Sequence, residues 1–111
     1  MAIVVRADLG MGRGKAAAQV AHAAVAATLT AMGSPRLQTW LADGQPKVVL
    51  RVDSADELDQ VVAAAHAGRL QVETIADAGR TQLDPGTVTC AAIGPADDDA
   101  VNAVTGTLRL Y

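Results

Sequence analysis

Lysine is rare in this chain, and both lysines stand where a positive charge could do chemistry. Lys15 closes the glycine-rich run Gly10-Met11-Gly12-Arg13-Gly14-Lys15, and Lys47 opens the apolar run Lys47-Val48-Val49-Leu50-Arg51-Val52. The other basic side chains are all arginines, at positions 6, 13, 36, 51, 69, 80 and 109. An ammonium is a compact point charge that can approach an oxyanion closely and shifts its pKa when buried, whereas a guanidinium is a planar fork that stays charged. The competing reading is ordinary surface usage, since lysine is mostly exposed.

Lys15, Gln19 and His22 recur at i, i+4 and i+7, a spacing that places three side chains on one helix face. Around them the sequence is almost entirely alanine and valine, so a narrow polar stripe climbs an otherwise bland helix. A solvated face usually carries several charges; this one carries a single cation. Asp77 follows the strand-like stretch Leu70 to Ala76 and precedes Ala78-Gly79. That is the end of a strand, where ligands gather in open α/β sheets, although an aspartate there also serves as a turn cap. Thr81, Thr87 and Thr89 are ordinary turn and strand residues on their own. His66 suits the negative end of a helix. Cys90, with no histidine beside it, reads as a small buried apolar residue. Two histidines and one cysteine do not make a zinc cluster.

The glycine run invites a nucleotide-binding reading, which fails on inspection. A P-loop has a Gly, four residues of any type, then Gly-Lys-Ser/Thr; here that first position is Leu9, and Ala16 stands where the hydroxyl belongs. The dinucleotide fingerprint in its alanine-ending form does fit Gly12-Arg13-Gly14-Lys15-Ala16-Ala17, but no acid follows before Asp43, so the ribose-binding carboxylate is missing. What survives is a helix N-terminus whose N–H groups and Lys15 together favour an anion.

These residues need elements to hold them. Ala2 to Arg6 reads as a strand, Gly10 to Gly14 as a turn, and the alanine-rich stretch to about Met32 as a long helix. Ser34 caps a short second helix with Pro35 at its first position. Lys47 to Val52 is a second strand. Ser54 and Glu57 form a capping box for a third helix, which ends near Gly68. Leu70 to Ala76 is a third strand, a loop carries Asp77-Ala78-Gly79-Arg80-Thr81, and Pro85-Gly86 turns into a fourth strand over Thr87 to Ile93. Asp97, Asp98 and Asp99 favour the positive end of a last helix, and Leu108 to Tyr111 can add an edge segment. Strands separated by helices pair in parallel, while the short link at Pro85-Gly86 requires an antiparallel pair. The expected fold is one compact α/β domain over residues 1–111, with a mixed four-stranded sheet and helices on both faces.

At 111 residues, half of them hydrophobic and 19% charged, the chain can build a real core. A single cysteine fits a reducing compartment. The stretch from Ala16 to Met32 is too polar and slightly too short for a membrane span, and the first residues do not read as a secretory signal. The net charge of −3 argues against general adhesion to nucleic acid. Yet residues 9–42 contain no acid and carry Arg13, Lys15 and Arg36, so an anion-binding face can sit on a mildly acidic molecule.

Taken together, the motifs resemble the type II peptidyl-tRNA hydrolases. The resemblance is carried by Val4-Val5-Arg6-Ala7-Asp8-Leu9-Gly10-Met11-Gly12-Arg13-Gly14-Lys15, Ala17-Ala18-Gln19-Val20-Ala21-His22, Gly44-Gln45-Pro46-Lys47-Val48-Val49, Asp77-Ala78-Gly79-Arg80-Thr81-Gln82, Pro85-Gly86-Thr87, Ile93-Gly94-Pro95 and the terminal Leu108-Arg109-Leu110-Tyr111. It spans nearly the whole chain; Arg13, where lysine is common, is the clearest departure. It implies hydrolysis of the ester joining a peptide to the 3′ end of tRNA, no cofactor or metal, a cytoplasmic location without a membrane anchor, and pairing as a homodimer.

The resemblance also implies an active site. Lys15, Asp77, Thr89 and His22 match its catalytic group, and Gln19, Lys47, Arg80 and Thr81 its substrate-binding group. On that reading Asp77 acts as base or orients the water, and Lys15 stabilises the oxyanion. Thr89 or Thr81 positions the water, Gln19 and His22 orient the peptide or terminal ribose, and Lys47 and Arg80 meet the tRNA backbone. The competing expectations are a tRNA-binding adaptor without turnover and, more remotely, a dinucleotide-binding domain.

Overall fold

The computed structural model describes residues 1–80 and 82–111. Strand β1 (Ala2–Arg6) leads through a short 3-10 turn (Ala7–Leu9) into the long helix α1 (Arg13–Thr30). Then come α2 (Pro35–Ala42), β2 (Val48–Val52), α3 (Ala55–Ala67), β3 (Val72–Ala76), β4 (Val88–Ile93), α4 (Asp98–Thr105) and β5 (Arg109–Leu110). The sheet has five strands in the order β3-β4-β1-β2-β5, one more than the expected four. The additional strand is the C-terminal segment: Leu110 and Arg109 pair antiparallel with Leu50 and Arg51, covering the open edge of β2. Two residues are too few to announce a strand by alternation; pairing partners supplied by β2 make it one.

The expected pairing directions hold for the sheet's centre. β1 and β2, joined through α1 and α2, run parallel from Ala2↔Val48 to Arg6↔Val52. β3 and β4 run antiparallel with a shift in register after Ile75, and β4 also runs antiparallel to β1. That shift falls one residue before Asp77, at the place where the ladder releases the loop.

Both faces of β1 are covered, so its sequence is apolar without alternation. Ile3 and Val5 point into a core with Ala16, Ala23, Ala27, Leu37, Trp40, Cys90 and Ala92 beneath α1 and α2. Ala2 and Val4 point the other way, into a core with Leu50, Val52, Leu58, Ala65, Ala91, Ile93 and Val101 beneath α3 and α4. Truncating Ile3, which is fully buried, to alanine would cost about 2–5 kcal/mol by the usual cavity penalty. The alanines of α1 that face the sheet (16, 23 and 27) are buried, and their small size lets the helix backbone lie close to β1 and β4.

The starts of α2 and α3 behave as their sequences demand. The Leu37 N–H donates to Ser34 Oγ at 3.1 Å, with Pro35 first in α2. The Glu57 N–H donates to Ser54 Oγ at 3.1 Å. The reciprocal half of that box is displaced by one residue: Glu57 Oε2 accepts from the Asp53 N–H at 2.6 Å.

Candidate active site

α1 begins with Gly12 as its N-cap, and glycine offers no side chain to satisfy the first helical N–H groups. Gln82 takes over part of that task from the far loop, its Oε1 accepting from the Gly12 N–H at 3.0 Å. This contact brings the loop after β3 against the N-terminus of α1. Between them lies an open cleft of about 530 Å³, lined by Gly14, Lys15, Ala18, Gln19, His22, Ala76, Asp77, Ala78, Arg80 and Gln82.

The polar stripe of α1 is one wall of that cleft. Lys15 is largely covered and Gln19 is buried, while His22 is exposed one turn further on. The stripe is thus not a solvated helix face. Lys15 Nζ donates to Asp77 Oδ1, forming an ion pair between two mostly buried groups. The second oxygen, Oδ2, accepts from the Gly79 N–H at 2.9 Å. Asp77 therefore serves both readings of its position: one oxygen caps the turn, the other faces the lysine. Its backbone is tied as well, its N–H donating to Thr87 O and its carbonyl accepting from the Gly86 N–H, each at 2.8 Å. The Lys15 ammonium holds the Asp77 carboxyl below the usual carboxylate range, reinforced by the Gly79 N–H and opposed by burial. A carboxylate so stabilised stays ionised and is a weak proton acceptor, better suited to orienting a water than to holding its proton.

Gly79 is required by the loop's shape. Its φ is +74°, and a Cβ there would overlap the Pro85 ring. The turn that presents Asp77 and Arg80 can close only with glycine at this position.

The remaining expected site residues are placed differently. Arg80 is exposed on the cleft. Thr81 lies outside the described residues. Thr89 is fully buried on β4, behind Gln19, and its hydroxyl donates to Gln19 Oε1 at 2.5 Å. Lys47 is not in the cleft. Its Nζ donates to Gln45 O at 2.7 Å and sits 5.3 Å from the centre of the Trp40 ring. It lines a separate apolar groove with Arg13, Ala16, Ala17, Val20, Ala24 and Tyr111, on the other flank of α1. The reason is topological: β2 lies on the opposite side of β1 from β3 and β4, so its first residue cannot reach the loop after β3. Gln82 belongs to the cleft and was not among the expected site residues. Nothing in the spacing of positions 12 and 82 links them.

Cys90 is fully buried, and burial pushes its thiol up to about 11, the opposite of what a nucleophile needs. Among the described residues no three His, Cys, Asp or Glu side chains gather as metal ligands. Among them also, no helix is long and apolar enough to cross a membrane.

The fold and the cleft define a class: a small one-domain α/β protein whose lysine–aspartate pair, at the junction of a helix N-terminus and a strand-end loop, suits attack of water on a carbonyl. Comparison with known proteins narrows the class. The family model described as "Peptidyl-tRNA hydrolase PTH2" matches residues 1–111, and the chain belongs to this family. A peptidyl-tRNA hydrolase of Metallosphaera sedula is 50% identical over 114 residues, spanning 99% of this chain and 97% of the relative. One from Aeropyrum pernix is 51% identical over 116 residues (99% and 94%), and one from Saccharolobus solfataricus is 47% identical over 116 residues (99% and 97%).

Proposed function

We propose that the chain hydrolyses the ester bond of peptidyl-tRNA, releasing free tRNA and the peptide. The observation that carries this reading is the Lys15–Asp77 pair in an open cleft, in a chain whose full length matches the peptidyl-tRNA hydrolase family. The cleft is open on one side, as a macromolecular substrate requires. An oxygen of water bonds to the ester carbonyl carbon, the C=O electron pair moves onto its oxygen, and collapse of that tetrahedral centre breaks the bond to the ribose oxygen, which takes up the proton that the attacking water gives up. Asp77 orients the water, and Lys15 stabilises the charge that develops on oxygen, close to the positive end of α1. His22, further up the same wall, orients the peptide or the terminal ribose. Thr81 was expected to position water or substrate and keeps that expectation.

Cations flank the N-terminal part of α1: Arg80 on the cleft side, Arg13 and Lys47 on the other flank. With no acid in residues 9–42, this end of the molecule suits the tRNA backbone despite the net charge of −3. The reaction belongs in the cytoplasm, where peptidyl-tRNA arises. Pairing of two copies is supported by the exposed, uncharged side of α1, where Val25 and Leu29, with Met32 just beyond, are each more than half exposed. Sedimentation of wild type against Leu29→Glu tests it; two monomeric species would reject pairing.

The central test is release of the acyl-amino acid from N-blocked aminoacyl-tRNA by purified protein. Turnover that disappears in Lys15→Met and Asp77→Asn, with folding intact by circular dichroism, is expected. Binding of tRNA without turnover would instead mark a non-catalytic adaptor on the same fold.

A further inference from the structure

The buried partnership of Gln19 and Thr89 has no role in the scheme above, yet it sets what the cleft offers a substrate. Gln19 lies four residues after Lys15, one turn along the same helix face, so its amide and the Lys15 ammonium can reach a common point. Its side chain is only 6% exposed and nevertheless lines the cleft. A carboxamide presents either a donor or an acceptor, depending on which end is turned outward.

Three contacts bear on the orientation. The Thr89 hydroxyl is 2.5 Å from Gln19 Oε1 and 3.2 Å from Ile75 O. A hydroxyl has one proton, and the shorter contact places it on the amide oxygen. Behind them the Cys90 thiol donates to the Gln19 backbone carbonyl at 3.5 Å, tying the same helical turn to β4. The amide oxygen is therefore engaged inward. Among the described residues no buried side-chain nitrogen or oxygen lacks a hydrogen-bond partner, and Nε2 makes no bond to the protein there. Its two N–H groups consequently face the cleft.

We propose that Gln19 is a catalytic residue that donates through Nε2 to the substrate carbonyl oxygen, and that Thr89 is a positioning residue that holds the amide in this orientation. The inference rests on the hydrolase reading. As water adds and negative charge gathers on the carbonyl oxygen, the Gln19 N–H strengthens its bond beside the Lys15 ammonium, and no proton leaves the amide. Thr89 is fully buried, so it acts on the substrate only through Gln19. This replaces the expectation that Thr89 positions the water.

The test is steady-state hydrolysis of N-blocked aminoacyl-tRNA, with wild-type turnover as the control on which the reading above stands or falls by itself. Given that turnover, Gln19→Met, which keeps volume and removes the donors, should lower kcat by about 10²–10³, the usual cost of an oxyanion donor, with KM changed little. Gln19→Glu presents an acceptor at neutral pH; its activity should be lost there and partly recovered as acid protonates the new carboxyl. Thr89→Val should lower kcat about tenfold and Thr89→Ser should restore it. Adding Thr89→Val to Gln19→Met should cause no further loss. If Thr89→Val does not fold, Thr89→Cys, a poor donor of similar size, takes its place. Wild-type kcat in Gln19→Met, or a neutral-pH rate in Gln19→Glu equal to wild type, overturns the donor role. Wild-type kcat in the threonine variants, or additive losses in the double variant, overturns the positioning role.

Discussion

Lys15 and Asp77 lie 62 positions apart in the chain and meet as an ion pair across the cleft, the first on a helix, the second on the loop that leaves β3. The pair is a stability device as well as the proposed centre of catalysis, and its pH dependence has a definite sign. The folded carboxyl titrates below its ordinary value of 3.8. The unfolded chain therefore takes up its proton first as pH falls. The pair's contribution is complete above the unfolded value and is lost as pH drops through the folded one. The gap in Tm between wild type and Asp77→Asn should be constant from pH 8 to about 5 and narrow progressively as pH falls below about 4. A gap that stays constant, or widens, on acidification would contradict it.

The loop that carries Asp77 should depend on Gly79. Alanine there is forced into a positive φ and against Pro85, so Gly79→Ala should destabilise the protein by about 1–3 kcal/mol. Because the Gly79 N–H also holds Asp77 Oδ2, kcat should fall in molecules that remain folded. Urea unfolding together with single-turnover kinetics checks both; an unchanged midpoint would count against the loop geometry.

Cys90 should be chemically silent in the native state. With its thiol raised to about 11 and no exposure, it should not react with a disulfide reagent at pH 8 and should react fully in denaturant. Rapid native-state labelling would show that the packing of α1 on β4 opens readily.

The cations on the two flanks of α1 should separate by function. Arg80→Ala should raise KM at near-constant kcat and flatten the salt dependence of binding by about one unit of log–log slope, the signature of one lost phosphate contact. Lys47→Ala, remote from the cleft, should leave kcat untouched and act on binding alone. A large kcat loss in Lys47→Ala would place that lysine at the reacting bond.

Much of this arrangement is legible along the chain. The stripe Lys15-Gln19-His22 follows from helical periodicity, the caps at Ser34 and Ser54 from hydroxyls that accept helix N–H groups, and the strand end at Asp77 from the β-prone stretch Leu70 to Ala76 halted by Ala78-Gly79. The motifs also sufficed to indicate the family. These features are local: each depends on φ, ψ preferences and side-chain spacing within one or two turns.

The tertiary structure decided what depends on distance through space. Only packing of α1 on β4 buries Thr89 behind Gln19 and so turns a threonine expected at the water into a support for an amide. Only the sheet order carries Lys47 to the far flank of α1, where Trp40 receives it. Only the loop's return brings Gln82 to Gly12, and only β2's open edge makes a strand of Arg109–Leu110. Sequence by itself determined which side chains are available and which helix or strand face presents them. Which of them meet is settled by long-range burial and pairing, and no local rule relates position 19 to 89 or 12 to 82.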